Sequence, residues 1–186
     1  MENQLKSGRI CDEEKVSILL ESINAGVERV STIVKSLNQF SGAKDNNDKE
    51  CDITAIIENC LIMLQSRLND RITIVKEYEQ DKLILLGNSS DLHQAVINIL
   101  HNAVQSIADK GIIRVRVQRK HNHIVLEIRD SGCGIEGKHL AHVTDPFYTT
   151  KSPGEGVGLG LSLTYSIIRA HNGRIEFESE PNVGTT

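Results

Sequence analysis

Ile112-Ile-Arg-Val-Arg-Val-Gln-Arg-Lys-His-Asn-His-Ile-Val-Leu-Glu-Ile-Arg-Asp-Ser-Gly-Cys-Gly134 is the stretch that decides the fold. Ile113, Val115 and Val117 fall on one face and Arg114, Arg116 and Gln118 on the other, the two-residue period of a half-buried strand. Lys120-His121-Asn122 turns the chain, and Ile124 to Arg129 brings it back as a hairpin. Asp130 ends that second strand directly before Ser-Gly-Cys-Gly. On its own this is an ordinary turn leaving a strand, so its meaning depends on what flanks it.

Upstream, Ser90 and Asp91 are placed to cap a long helix from about Leu92 to Ala108. It carries Asn98-Ile-Leu-His-Asn102, whose two amides share one helical face. Amide oxygens at that spacing can approach one hard cation, and Mg²⁺ prefers oxygen ligands completed by phosphates and water. A pair of buried amides can equally cross-link helices. Downstream come Asp145-Pro-Phe-Tyr-Thr-Thr-Lys151 and then Gly154, Gly156, Gly158 and Gly160 at alternate positions, before a helix reaching Ala170. Glycines there let backbone N–H groups wrap phosphate oxygens, and the helix N-terminus favours negative charge. These residues are expected to form a lid that is mobile when empty and ordered by a triphosphate. Lys151 can reach a phosphate as a point charge, and Phe147 is expected to pack the lid on the core. Gly158→Ala is expected to weaken nucleotide affinity without unfolding the domain. A carboxylate held at Asp130 can accept a hydrogen bond from an adenine amino group, which would distinguish adenine from guanine. Gly132 and Gly134 then permit close backbone approach to a flat ring.

The remaining chain alternates. Ile53 to Leu68 reads as an amphipathic helix capped by Asp52, and Arg71–Glu77, Leu83–Leu86 and Arg174–Glu178 read as strands. The predicted class is α+β, a two-layer sandwich with helices on one face of a mixed sheet. Before it lies a polar linker, 41–50. Earlier still, Val16, Leu20, Ile23, Val27, Val30, Val34 and Leu37 are separated alternately by four and three residues. That heptad seam within 1–40 suits packing between helices, as in an intermolecular or hairpin bundle. The nucleotide domain is expected over 51–186.

Composition narrows the classes. A net charge of −4 argues against a nucleic-acid partner. No apolar run approaches the roughly 18 residues of a membrane span, and Met1-Glu-Asn-Gln-Leu-Lys is too polar for a signal peptide. Cys11, Cys51, Cys60 and Cys133 show no disulfide or C-x-x-C framework, which fits reduced thiols and a cytoplasmic location. His139, His142 and Asp145 are read as solvated residues ahead of the lid rather than as a metal site.

The four blocks Asn98–Asn102, Asp130–Gly134, Asp145–Lys151 and Gly156–Leu161, in this order and spacing, resemble the N, G1, F and G2 boxes of bacterial sensor histidine kinases. The Asp-Pro-Phe-Tyr-Thr-Thr-Lys block looks like the nitrogen-regulatory style of that family. The resemblance implies a fold shared with gyrase and the mismatch-repair ATPases, the Bergerat type. It implies Asn102 as magnesium ligand supported by Asn98, and Asp130 at adenine with Gly132 and Gly134. It also implies ATP contacts from Phe147, Thr150, Lys151, Gly156, Gly158, Leu159 and Gly160, and from Thr185 near the adenine-binding Asp. The implied activity is donation of the ATP γ-phosphate to a histidine on a dimerisation helix.

Implied partners are a second copy through residues 16–37, the phosphoacceptor helix and a response regulator. The phosphoacceptor is usually followed by an acidic residue, and none of His93, His101, His121, His123, His139, His142 or His171 is. The heptad helix resembles the second helix of the family's hairpin, so the accepting histidine is expected upstream of Met1. The family's last strand is expected beyond Thr186. The alternatives are an ATP-hydrolysing clamp or chaperone of the same superfamily, or an anti-sigma type serine kinase. Superfamily ATPases carry a glutamate base where this chain has Asn98, which cannot take a proton. The heptad helix speaks against the serine kinase.

Overall fold

The computed structural model describes residues 15–20, 23, 26–27, 49–152 and 156–186. The chain divides into two compact units, Met1–Ala43 and Lys44–Thr186. In the first, the described residues are helical. Val16, Leu20, Ile23 and Val27 of the heptad are 53–61% exposed, so this apolar stripe is unburied within its own unit. Val30, Val34 and Leu37, Gly154 of the lid and the first part of the expected linker lie outside the described residues.

The second unit is built on the hairpin. Strands β1 (Lys49–Asp52), β2 (Ile72–Tyr78), β3 (Ile84–Gly87), β4 (Gly111–Lys120), β5 (His123–Asp130), β6 (Ser179–Glu180) and β7 (Gly184–Thr185) alternate with helices α1 (Ile53–Leu68), α2 (Ser89–Ser106), α3 (Gly137–Leu140) and α4 (Gly160–Ala170). The central sheet has the order β2-β4-β5. β2 runs parallel to β4, and β5 runs antiparallel to it. Ile113, Val115 and Val117 are fully buried in one core with Ile57, Cys60 and Leu64 of α1 and Leu100 and Val104 of α2. Their charged neighbours lie on the other face, where Arg114 and Arg116 both pair with Glu77. α4 packs on α2 through Ala95, Leu163 and Ile167. The architecture is α+β with a mixed sheet, as the periodicities predict.

Three local expectations shift. The linker ends sooner than 41–50 suggests, because Lys49 and Glu50 already pair with Gly87 and Leu86 as β1. α2 begins at Ser89, with Asn88 as its cap: the Asn88 Oδ1 accepts from the Ser90 and Asp91 N–H groups at 2.9 and 3.2 Å. Ser90 and Asp91 therefore supply backbone donors, where side-chain caps were expected. Asp52 does cap α1, accepting from the Ala55 N–H at 3.2 Å. The strand expected at Arg174–Glu178 is displaced to Ser179–Glu180, which pairs with Gly184–Thr185. Residues 174–178 still alternate between exposed and half-buried, and Glu178 exchanges both backbone hydrogen bonds with Thr186, at 3.0 and 2.8 Å, so the β6–β7 pairing reaches back to the end of the expected strand. Among the described residues, no helix is long and apolar enough to cross a membrane.

Candidate nucleotide site

At the end of β5, Asp130 is only 7% exposed. A buried carboxylate is costly unless its oxygens are hydrogen-bonded, and here its own chain supplies two donors. The Ser106 hydroxyl donates to Oδ1 at 2.9 Å and the Gly132 N–H at 2.8 Å. Oδ2 takes no hydrogen bond from the described residues, so one oxygen is fixed and the other remains an acceptor. Ser106 was missed in the sequence. The signal was present, because Asn98, Asn102 and Ser106 recur every four residues on one face of α2.

Backbone closes in tightly around this carboxylate. A Cβ on Gly132 would fall 2.0 Å from Ser106 Oγ, and one on Gly134 would fall 2.1 Å from the Glu180 carbonyl oxygen. Gly134 also has φ +66°, a conformation that glycine alone adopts without strain. β7 seals the far side, with Gly184 so close that a Cβ would meet the Asp130 carbonyl oxygen at 2.0 Å. Thr185 lies next to this contact, its hydroxyl 2.9 Å from Ser179 Oγ.

The other end is made of longer side chains. Lys151 Nζ lies 3.4 Å from Asn102 Oδ1 and donates to Gln105 Oε1 as well. The Asn102 and Gln105 amide oxygens thus face a positive charge at this point of α2, the oxygen-donor chemistry that Mg²⁺ also prefers. Asn98 does not present its oxygen in the same way: its Nδ2 donates to the Gly160 carbonyl at 3.0 Å, while its Oδ1 accepts from Gln94 at 2.8 Å. The two amides expected to converge on one cation thus diverge, with Asn98 clamping α2 to the start of α4. Beside Asn102, burial together with the Arg67 and Lys151 charges holds the His101 imidazole below its ordinary pKa. His101 Nε2 accordingly accepts from Arg67 Nη1 at 2.5 Å.

The lid residues also depart from expectation. Phe147 is 61% exposed, so its ring does not pack the lid on the core. Its backbone makes the junction, with the N–H donating to the Gly158 carbonyl at 2.9 Å and φ at +66°. Gly158 has φ +73°, and a Cβ there would fall 2.5 Å from the Phe147 carbonyl carbon and 2.6 Å from the Tyr148 oxygen. A Cβ at Gly158 therefore presses on the Phe147–Tyr148 backbone at this junction. Gly156 is different: its nearest neighbours to a Cβ stand 3.6 and 3.9 Å away. Thr150 and Lys151 are exposed, whereas Leu159 is buried and accepts from the Leu163 N–H at 3.0 Å. His142 Nδ1 sits 2.8 Å from Asp145 Oδ2, and His139 Nδ1 lies 2.6 Å from the Tyr148 hydroxyl. Among the described residues, no group of three or more His, Cys, Asp or Glu side chains could hold a metal ion.

The candidate site therefore draws on β5, α2, residues 145–152 and 156–160, and β7. Residues 87–186, which contain all of it, match the model of the histidine kinase-, DNA gyrase B- and HSP90-like ATPases. The chain belongs to that ATPase family. Among curated proteins it is similar to the signal transduction histidine-protein kinase AtoS of Escherichia coli (strain K12), with 31% identity over 176 residues. That match covers 94% of this chain and 28% of AtoS. Among solved structures it resembles the mycobacterial sensor histidine kinase MprB, at 28% identity and TM-score 0.66, covering 74% of this chain and 92% of that one. It also shares the fold of the histidine kinase ThkA, solved in complex with the response regulator protein TrrA. There the TM-score is 0.70 and the identity 22%, over 86% of this chain and 46% of that one. The fold of this ATPase family member is thus that of histidine kinase catalytic domains.

Proposed function

We propose that this chain binds ATP with Mg²⁺ and donates the γ-phosphate to a histidine on a dimerisation helix, as a sensor kinase in two-component signalling. The observation that carries the reading is Asp130. One oxygen is consumed by Ser106 and Gly132, which fixes the carboxylate and leaves the other to accept the exocyclic amine of adenine. Guanine would set a carbonyl against it, acceptor against acceptor. Asn102 would hold the metal, and Mg²⁺ when bound would supply charge neutralisation of the triphosphate. Lys151, now at Asn102 and Gln105, moves to the phosphates, while Gly156 to Gly160 offer backbone donors at the start of α4. The domain's contribution is positional and electrostatic, holding the γ-phosphate for a nucleophile carried elsewhere.

The kinase reading is preferred to ATP hydrolysis because Asn98 carries no proton-accepting group and its amide is tied to Gly160 and Gln94. The similarity to AtoS and MprB supports a histidine as acceptor, and the ThkA complex supports a response regulator as downstream partner. The exposed stripe of Val16, Leu20, Ile23 and Val27 is assigned to a homodimer through residues 16–37. The deciding experiment incubates the chain with Mg²⁺ and γ-labelled ATP, alone and with a dimerisation hairpin bearing its histidine. Label on the hairpin with little free phosphate is expected. Steady phosphate release by the chain alone would overturn the reading in favour of an ATPase.

A further inference from the structure

α4 runs from the lid loop at Gly160 to His171, the residue that closes its C-terminal end, and both nitrogens of that imidazole are engaged. Nδ1 lies 2.8 Å from the Ile167 carbonyl oxygen. A carbonyl can only accept, so Nδ1 carries the proton and Nε2 is left with a lone pair. The Asn88 backbone N–H donates to Nε2 at 3.0 Å. Asn88 is the N-cap of α2, so His171 binds the residue that starts the Asn102 helix. The ring fits because Gly87 has no side chain: a Cβ there would fall 2.7 Å from His171 Cδ2 and 2.8 Å from Nε2.

α2 and α4 are therefore joined by directional bonds at two points. One is Asn98 Nδ2 at the lid end, which donates to the Gly160 carbonyl and, at 3.4 Å, to the Thr164 hydroxyl one turn on; the other is Asn88 N–H to His171 at the far end. At about 1.5 Å per helical residue, the two fastenings stand roughly 16 Å apart along α4. Between them the helices touch through Ala95, Leu163 and Ile167. Apolar contact is non-directional and by itself resists a small axial slide weakly, whereas a hydrogen bond at each end fixes it.

We infer that His171 is a positioning residue that sets the axial register between α2, which carries Asn102, and α4, whose first turn ends the lid loop. This rests on the ATP reading above, in which Asn102 and the loop grip the phosphates from the two helices. The Asp130 end takes no contact from His171, so register error is felt by the phosphates and not by the base.

The test titrates ATP with Mg²⁺, and separately adenosine, into the full chain and its His171→Ala, His171→Gln, Gly87→Ala and Gly87→Ala/His171→Ala variants. Loss of an ordinary hydrogen bond corresponds to about a two- to tenfold change. His171→Ala is expected to weaken ATP by that factor and leave adenosine unchanged. His171→Gln, whose amide oxygen can accept from Asn88, recovers most of the loss. Gly87→Ala reproduces it by expelling the ring, and the double variant is no weaker than either single one. Equal losses for ATP and adenosine, an additive double variant, or undiminished ATP binding in His171→Ala would each overturn the inference. Failure of the unmodified chain to bind ATP would instead remove the ATP reading. The register would then be decided by amide hydrogen exchange: faster exchange at both Asn88 and residues 156–161 in His171→Ala upholds it, and a change confined to Asn88 overturns it.

Discussion

The two ends of the candidate site are built from different materials. Around Asp130 the walls are backbone, with Gly132, Gly134 and Gly184 so close to Ser106, Glu180 and Asp130 that no Cβ fits. Around Asn102 they are long side chains, Lys151 and Gln105, in exposed positions. Rigid walls select a flat base by shape and by a single unoccupied oxygen. Extended side chains and an open loop suit a charged, conformationally varied triphosphate. Under the proposed function, recognition of the base falls to the core and the phosphates fall to groups that must move.

Substitutions should separate the ends. Asn102→Ala is expected to have the largest effect, abolishing magnesium-dependent ATP binding with little change in Tm; undiminished binding by calorimetric titration would dissolve the distinction at its phosphate end. Next comes a paired glycine test by thermal unfolding without nucleotide. Gly134→Ala should cost at least about 2 kcal/mol through positive φ and the Glu180 clash. Gly156→Ala, with no contact to a Cβ nearer than 3.6 Å, should stay within about 0.5 kcal/mol. Similar losses from the two would mean that the Asp130 end is no more rigid than the other.

Asp130→Asn keeps the acceptor for Ser106 and Gly132 but removes the charge. It should weaken ATP by roughly tenfold to a hundredfold, as expected for a charge-assisted hydrogen bond, and should reduce the preference over GTP. A retained ATP/GTP ratio would place base selection elsewhere.

The smallest effect serves as a control remote from both ends. The Lys76 ammonium, 2.7 Å from Glu58, holds the Glu58 carboxyl below its ordinary 4.5. A carboxyl lowered in the folded state stabilises it above the unfolded value, and that contribution is lost as pH falls through the folded one. Glu58→Gln should therefore lower Tm slightly at pH 7 and make no difference in strong acid. The pair is solvent-accessible, so a large change at neutral pH would contradict this assignment.

Much of the scaffold was legible because periodicity reports burial. The β4–β5 hairpin and the faces of α1 and α2 follow from where isoleucine, leucine and valine recur. What failed was structure fixed by backbone pairing. Lys49 and Glu50 look like linker because the ladder of β1 uses their peptide groups and not their side chains. Alternation at 174–178 signalled a strand, but backbone pairing begins only at its end, where Glu178 meets Thr186 ahead of Ser179–Glu180. In the site, glycine spacing marked the loop but not the conformation of each glycine. Gly156 and Gly158 look alike in the chain, and only the path of Phe147 and Tyr148 tells them apart. Asn98 was legible as polar on the correct helical face. Whether its amide turns to a cation or to Gly160 depends on how α4 docks, which no local pattern encodes.

The contact between Gly184 and Asp130 also has a temporal side. During synthesis the β4–β5 hairpin emerges with its carboxylate long before Gly184 follows. Until then the wall over Asp130 is missing, and the Gly134 loop has no Glu180 to lie against. A nascent chain can fold its helices and central sheet early, since local and hairpin contacts form fastest. On the proposed reading, competence to hold a base therefore comes only after Gly184 has emerged, later than the helices and the central sheet.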